Sequence, residues 1–197
     1  MGSDTTSIKA YGELAGRSVF GGILMGLANL VPGISGGTML LASGVYPNFI
    51  RAISELSAFK FRRPSLWVLG IVVLSAVLSI VLFAGPVRAL VVSHRWVTFS
   101  LFIGLTLGGV PVVWNLAKPG DRRVWIGAVL GLLPMALLAW YQTTNPGAGE
   151  NEGFGIYVAA GLAGASAMIL PGVSGGYLLL VMGVYLPILG AIDALKV

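Results

Sequence analysis

The sequence predicts an all-α polytopic membrane protein, an inverted repeat in which two re-entrant helical hairpins flank about three full spans. Composition, an internal duplication and the placement of basic residues predict it. Of 197 residues, 56% are hydrophobic, 10% are charged and 29 are glycine, and the mean hydropathy of +0.91 lies outside the range of soluble globular chains. A net charge of +5 would point a soluble chain toward nucleic acid. Here the basic residues fall in short loops between apolar runs, where they set topology, so no nucleic-acid partner is expected. The absence of cysteine excludes disulfides, thiolate metal sites and cysteine nucleophiles. The single histidine, His94, stands in a loop beside Arg95 and Trp96, which argues against a histidine metal site or catalytic triad. No cofactor, metal or catalytic residue is expected.

The duplication is the second observation. Val31-Pro-Gly-Ile-Ser-Gly-Gly-Thr38 is written again as Leu170-Pro-Gly-Val-Ser-Gly-Gly-Tyr177, and at an offset of 139 residues 26–53 match residues 165–192 at 13 of 28 positions. Each copy interrupts a long apolar run. A turn at membrane depth is tolerated only where it lines a cavity or is buried in protein. Repeat 1 is placed at about 18–63 and repeat 2 at about 154–197 of a single transmembrane domain, 1–197.

In chain order, residues 1–17 are polar and lack the basic start and apolar core of a cleavable signal, so a short surface helix or a frayed end is expected. Residues 18–50 carry no charge. As one straight helix they would extend about 50 Å, too long for a hydrocarbon core of roughly 30 Å. The Pro-Gly and Ser-Gly-Gly steps divide them into pieces of about 15 residues, each too short to cross alone. Two arrangements satisfy this: a re-entrant hairpin, or one crossing helix with an unwound middle. Three uncharged spans follow at 66–84, 96–116 and 124–141. Trp67, Trp96, Trp114, Trp125 and Trp140 lie near span ends, as interfacial anchors should. Pro111 and Pro134 are expected to kink spans, and Gly104, Gly108 and Gly109 to let helices pack closely.

The basic residues are the third observation. Arg51, Lys60, Arg62 and Arg63 follow the first broken segment, Arg88 and Arg95 lie between the first two spans, and Lys118, Arg122 and Arg123 follow the second. The loop at 142–153 has no basic residue and carries Glu150 and Glu152. Positives inside place 51–63 and 117–123 in the cytoplasm and 85–95 and 142–153 outside. Hairpins put the N-terminus in the cytoplasm with nine of the twelve Lys and Arg inside, and crossing segments put eight there. Charge separates the two weakly. Hairpins would enter from opposite faces as an inverted repeat around a midplane site, a common transporter plan, and are favoured on that ground.

The motif carries the chemistry. Pro32 and Pro171 lack an amide hydrogen and end the first half-helix of each repeat. Gly33 and Gly172 let the chain turn, and Ser35 and Ser174 suit the N-cap of the next helix. Gly36, Gly37, Gly175 and Gly176 would leave first-turn amides bare, with Thr38 and Tyr177 next in line. Two such helix starts would attract an anion, phosphate especially. The same glycines satisfy the small-xxx-small helix-packing pattern. The duplication, with Val-Tyr eight residues past each last glycine, weighs toward a ligand site. Tyr46 and Tyr185 read either as site residues or as interfacial anchors. Asn29, the carboxamide of the first half-helix, reads as a site residue or as a bond to a neighbouring helix. Arg51 reads as a topology charge or as a residue that collects or releases the anion at the cytoplasmic end.

Met25-Gly-Leu-Ala-Asn-Leu-Val-Pro-Gly-Ile-Ser-Gly-Gly-Thr38, Leu101-Phe-Ile-Gly-Leu-Thr-Leu-Gly-Gly-Val-Pro111 and Ala167-Met-Ile-Leu-Pro-Gly-Val-Ser-Gly-Gly176 together resemble the polyprenyl-phosphate transporter family over nearly the whole chain. The resemblance implies a multi-pass bacterial or archaeal inner-membrane protein that returns undecaprenyl phosphate, a polyprenyl phosphate lipid, to the cytoplasmic leaflet for reuse in cell-wall synthesis. The sequence departs from the family at Asn29, where an acidic residue is common, and at Pro47, where Glu is frequent. Members continue through further helices after the second motif, so a fragment or a short variant is expected. The alternatives to a lipid-phosphate flippase are a transporter or channel for a small soluble anion and a non-transporting scaffold; a homo-oligomer is left open.

The topology is directly testable. Cysteines placed at Arg62 and Arg122 should react with maleimides only from the cytoplasm, and one at Glu150 only from outside. Labelling of positions 62 and 150 from one side would end this assignment.

Overall fold

The computed structural model describes residues 2–144, 153–170 and 172–195, and among them every regular element is a helix. α1 (Gly2–Leu30) leads through the first motif to α2 (Gly36–Ala42) and α3 (Tyr46–Ser57). α4 (Arg63–Ser93), α5 (Arg95–Ala117) and α6 (Arg122–Thr144) follow, and α7 (Phe154–Ile169), α8 (Gly175–Val181) and α9 (Tyr185–Ala194) repeat the opening pattern. The loop carrying Glu150 and Glu152 lies outside the described residues.

Three expectations need correction. The polar stretch 1–17 is no separate element: α1 runs unbroken from Gly2 into the apolar segment, because no proline or turn residue interrupts it before Pro32. The expected loop at 85–95 is largely helix, with α4 continuing through Pro86 and Arg88 to Ser93 and His94 standing alone before α5. A charge ends an apolar run without ending a helix. The piece after each motif is only seven residues long. Gly44 and Gly183, at φ +73° and +78°, stop it: Val45 N–H donates to Leu40 C=O and Gly44 N–H to Leu41 C=O, and Val184 and Gly183 do the same to Leu179 and Leu180. Crossed bonds of this kind with a left-handed glycine form a Schellman stop.

The duplication therefore extends to individual hydrogen bonds. Ile34 to Val31, Met39 to Ser35 and Phe49 to Val45 recur as Val173 to Leu170, Leu178 to Ser174 and Ile188 to Val184, each shifted by 139 positions.

α4 is the spine. Its 31 residues extend roughly 46 Å, and it is long and apolar enough to cross a membrane. α8 and α9, bent by 114° between them, are a broken span or a re-entrant loop. α5 and α6, at 23 residues each, reach roughly 35 Å, and Pro111 and Pro134 fall inside them as expected. The first half of α4 buries Val68, Val72 and Ala76 against Leu40, Val45 and Phe49 of the first repeat. The second half buries Ala84 and Val91 against Tyr185 and Leu189 of the second, with Leu30 and Phe102.

α1 lies against α4 at backbone contact. A Cβ added at Gly22 would stand 2.6 Å from Val72 O, and one at Gly26 would stand 2.5 Å from Ala76 O. Ser79 Oγ donates to Ile23 O at 3.1 Å across the same seam. Gly22 and Gly26 are thus the small-xxx-small pair that seats the helices. The expectation for Gly104, Gly108 and Gly109 is corrected: an added Cβ at any of them meets nothing within 4 Å. Gly26→Leu should cost about 1–3 kcal/mol or more through overpacking, whereas Gly104→Leu should change stability by less than about 0.5 kcal/mol. Thermal unfolding in detergent compares them, and equal melting temperatures would contradict this packing.

Candidate functional site

The two motifs cross and hold each other. Val31 and Leu170 each accept a turn-closing bond from the residue three on, which leaves Gly33 and Gly172 at φ +96° and +91°, a region open to glycine. Ser35 and Ser174 are N-caps, their hydroxyls accepting from Thr38 N–H at 3.4 Å and Tyr177 N–H at 3.2 Å. The same hydroxyls reach across the repeats. Gly33 N–H donates to Ser174 Oγ at 3.0 Å, and Gly172 N–H donates to Ser35 Oγ at 3.1 Å. Ser35 Oγ in turn donates to Leu170 O at 3.3 Å. The two amide-to-serine bonds are reciprocal between the repeats.

The tyrosines complete it. Tyr46 O–H donates to Ile169 O at 3.0 Å, and Tyr185 O–H donates to Leu30 O. Ile169 and Leu30 are the last residues of α7 and α1, whose carbonyls lack a partner within their own helix. Each tyrosine thus closes the end of the opposite repeat's first helix. That role is neither of the two considered from sequence, and the 139-residue spacing shared by 46/185 and 30/169 was its signal.

Asn29 lies where the helix starts converge. A Cβ at Gly36 would stand 3.0 Å from Asn29 Nδ2, and one at Gly175 would stand 3.2 Å from Asn29 Oδ1. Nδ2 donates to Met25 O at 2.9 Å, and Oδ1 is buried without a partner among the described residues. The bare amides expected at Gly36, Gly37, Gly175 and Gly176 are not open: all four glycines are buried. Gly176 packs onto the backbone of Asn29 and Pro32. Close approach of the two repeats requires glycine there. Pro171 lies outside the described residues.

The open space is on the other side of the crossing. A cavity of about 920 Å³ is lined by Gly33, Ser35, Thr38 and Gly172, by Thr106 of α5, and by Lys118 at the end of α5. Trp114 and Trp125, in edge-to-face contact at 6.1 Å, form part of its wall. Most of its lining is apolar. Thr38 Oγ1 accepts a second bond from Gly172 N–H at 3.1 Å, Thr106 Oγ1 donates to Phe102 O at 2.8 Å, and Lys118 Nζ donates to Asn115 Oδ1 at 3.2 Å. Thr106 and Lys118 were missed from sequence. Thr106 sits in the middle block of the resemblance, which was the available signal; Lys118 read only as a topology charge. Tyr177, Tyr46, Tyr185 and Asn29 are not on this cavity, and Arg51 lines a different pocket, with Arg63 and Trp67.

Thr38 has no counterpart in repeat 2, where Tyr177 takes its place, so the two serines are unequal. Ser174→Ala orphans the Gly33 N–H, at a cost of about 1–3 kcal/mol, besides removing a cap worth about 0.5–2 kcal/mol. After Ser35→Ala, Gly172 N–H keeps Thr38 Oγ1. Ser174→Ala should melt lower than Ser35→Ala, and Thr38→Val added to Ser35→Ala should close the gap. The reverse order in denaturation would remove Ser174 from the crossing.

Comparison with known proteins follows this geometry. A family described as undecaprenyl phosphate translocase-like matches residues 25–197. A polyprenyl-phosphate transporter of Vibrio cholerae serotype O1 is 29% identical over 188 residues, covering 89% of this chain and 59% of the relative. One of Staphylococcus aureus is 31% identical over 172 residues, covering 83% of this chain and 60% of the relative. The chain thus spans about three fifths of the length of these curated relatives. No solved structure matches. With a match that takes in both motifs, the block around Thr106 and Lys118, the chain belongs to the undecaprenyl phosphate translocase-like family.

Proposed function

We propose that this chain is a transporter of polyprenyl phosphate, and that the phosphate head enters the cavity beneath the crossing while the isoprenoid tail stays in the bilayer. It is a transporter and not an enzyme, in line with the names its relatives carry. The observation that carries the reading is the coincidence of both motifs with one cavity. Gly33, Ser35, Thr38 and Gly172 form one end of an apolar space that reaches the cation of Lys118.

A phosphate monoester carries roughly 1.5–2 negative charges, and placing a charge at the bilayer centre costs about 2.5–3.5 kcal/mol on insertion scales. Buried helix starts filled by Asn29 cannot take the anion directly. The donors that face the cavity can: the Thr38 hydroxyl hydrogen, which no bond among the described residues uses, and the ammonium of Lys118. Charge-assisted bonds of this kind are worth about 1.5–3 kcal/mol each. Two re-entrant hairpins related by an axis in the membrane plane, entering from opposite faces of the inner membrane, would bring the crossing to mid-depth. Lys118 would then mark the cytoplasmic mouth, and the lipid released would be undecaprenyl phosphate returning for reuse in cell-wall synthesis.

Movement of polyprenyl phosphate across proteoliposomes tests the reading. Thr38→Val/Lys118→Ala should slow it by about tenfold or more, the equivalent of one lost charge-assisted bond, with circular dichroism and melting unchanged. Wild-type rates in this folded variant would place the head elsewhere. Equal transport of inorganic phosphate would favour the soluble-anion reading.

A further inference from the structure

We infer that the pocket between α1, α3 and α4 is a second site, at which a single-chain lipid bearing a terminal phosphate docks by its head group before or after passage. The inference rests on the transport reading above and adds to it a place and a set of residues. The pocket measures about 570 Å³ and is separate from the cavity at the crossing, with which it shares no lining residue. Volumes of roughly 300–1,000 Å³ are usual for small-ligand sites.

Its walls divide by chemistry. Leu14 and Ala15 of α1 face Trp67, Val68 and Ile71 of α4 across an apolar trough. Its polar lining comes from Arg51 and Asn48 of α3 and from Arg63 and Ser65 of α4. Among the described residues neither arginine has a carboxylate partner; the nearby Glu55 is turned to Arg62, at 3.8 Å, and to the Ser65 hydroxyl, at 2.6 Å. Arg51 and Arg63 are both exposed and come to this pocket from two helices, so an anion bound there would gain from both charges.

The ligand follows from the donors. Each guanidinium offers a planar fork that fits two oxygens of a phosphate. A terminal phosphate presents three free oxygens and up to two charges, enough for both forks, whereas the phosphodiester of a bulk phospholipid presents two free oxygens and one charge. The apolar trough accepts the first part of a hydrocarbon chain, and Trp67, 69% exposed at the rim, marks the way out to lipid, as tryptophan does at membrane interfaces. A soluble phosphate would leave the trough wet and empty.

The probe is farnesyl phosphate carrying a photoreactive group at its chain end, added to the full chain in nanodiscs of phosphatidylcholine. It should label residues within 64–71, and Arg51→Ala/Arg63→Ala should reduce that labelling by about tenfold or more, the loss expected from one charge-assisted pair. Arg51→Lys/Arg63→Lys should recover part of it. Labelling near Thr106 should persist in the alanine variant, which shows that the protein is folded and separates this site from the crossing. Undiminished labelling of 64–71 in the alanine variant would overturn the inference, as would equal labelling by the farnesol analogue or equal competition by inorganic phosphate or phosphatidylglycerol. Loss of labelling near Thr106 alone, in Thr38→Val/Lys118→Ala, would bear on the cavity and leave this site standing.

Discussion

Everything else in this structure depends on the exchange of two backbone amides between the repeats. Gly33 N–H goes to the serine of the second motif and Gly172 N–H to the serine of the first. Turns in an apolar interior must find partners for such groups, since an unpaired one costs several kcal/mol away from water. Each turn amide is paired with the serine of the opposite motif, while that serine also caps its own helix. Each repeat is therefore incomplete without the other, and the duplication is a structural requirement before it is a functional one.

The same argument explains the tyrosines and the glycines. Leu30 O, buried, and Ile169 O, at the protein surface, end helices and are closed by Tyr185 and Tyr46. For these bonds to form, the repeats must approach until Gly175 and Gly176 lie against Asn29 and Pro32. A methyl group at Gly176 would stand 2.8 Å from Asn29 O, too close for any side chain. Burial of all four motif glycines and these close approaches agree with the packing reading.

The symmetry is broken where the cavity forms. Thr38 against Tyr177, and Asn29 against Met168, are differences between otherwise matched positions, and Thr38 lines the cavity whereas Tyr177 does not. α4 carries both repeats on its two halves, so motion of one repeat against the other would have to act through this helix and the crossing. On the transport reading proposed above, a charged head group would meet donors at the crossing while its tail stayed outside, which would limit the charge to be moved through apolar surroundings.

Much was legible in the sequence because the signals were local and doubled. Pro32 must end a helix, Ser35 and Ser174 must cap one, and a 139-residue offset must place like structure at like positions, whatever the surroundings. The family was legible from three ordered blocks for the same reason. Helix ends were less so: Arg88 broke the apolar run but not α4, and the Schellman stops at Gly44 and Gly183 depend on a left-handed turn that composition does not reveal. Which groups meet across 141 residues was not written in any local pattern. That Ser174 receives Gly33 N–H, that Tyr185 closes Leu30 and that Asn29 lies between two helix starts were settled only when the repeats packed together. Buried amides and carbonyls accept whichever partner the fold brings within reach, and that choice is made in three dimensions.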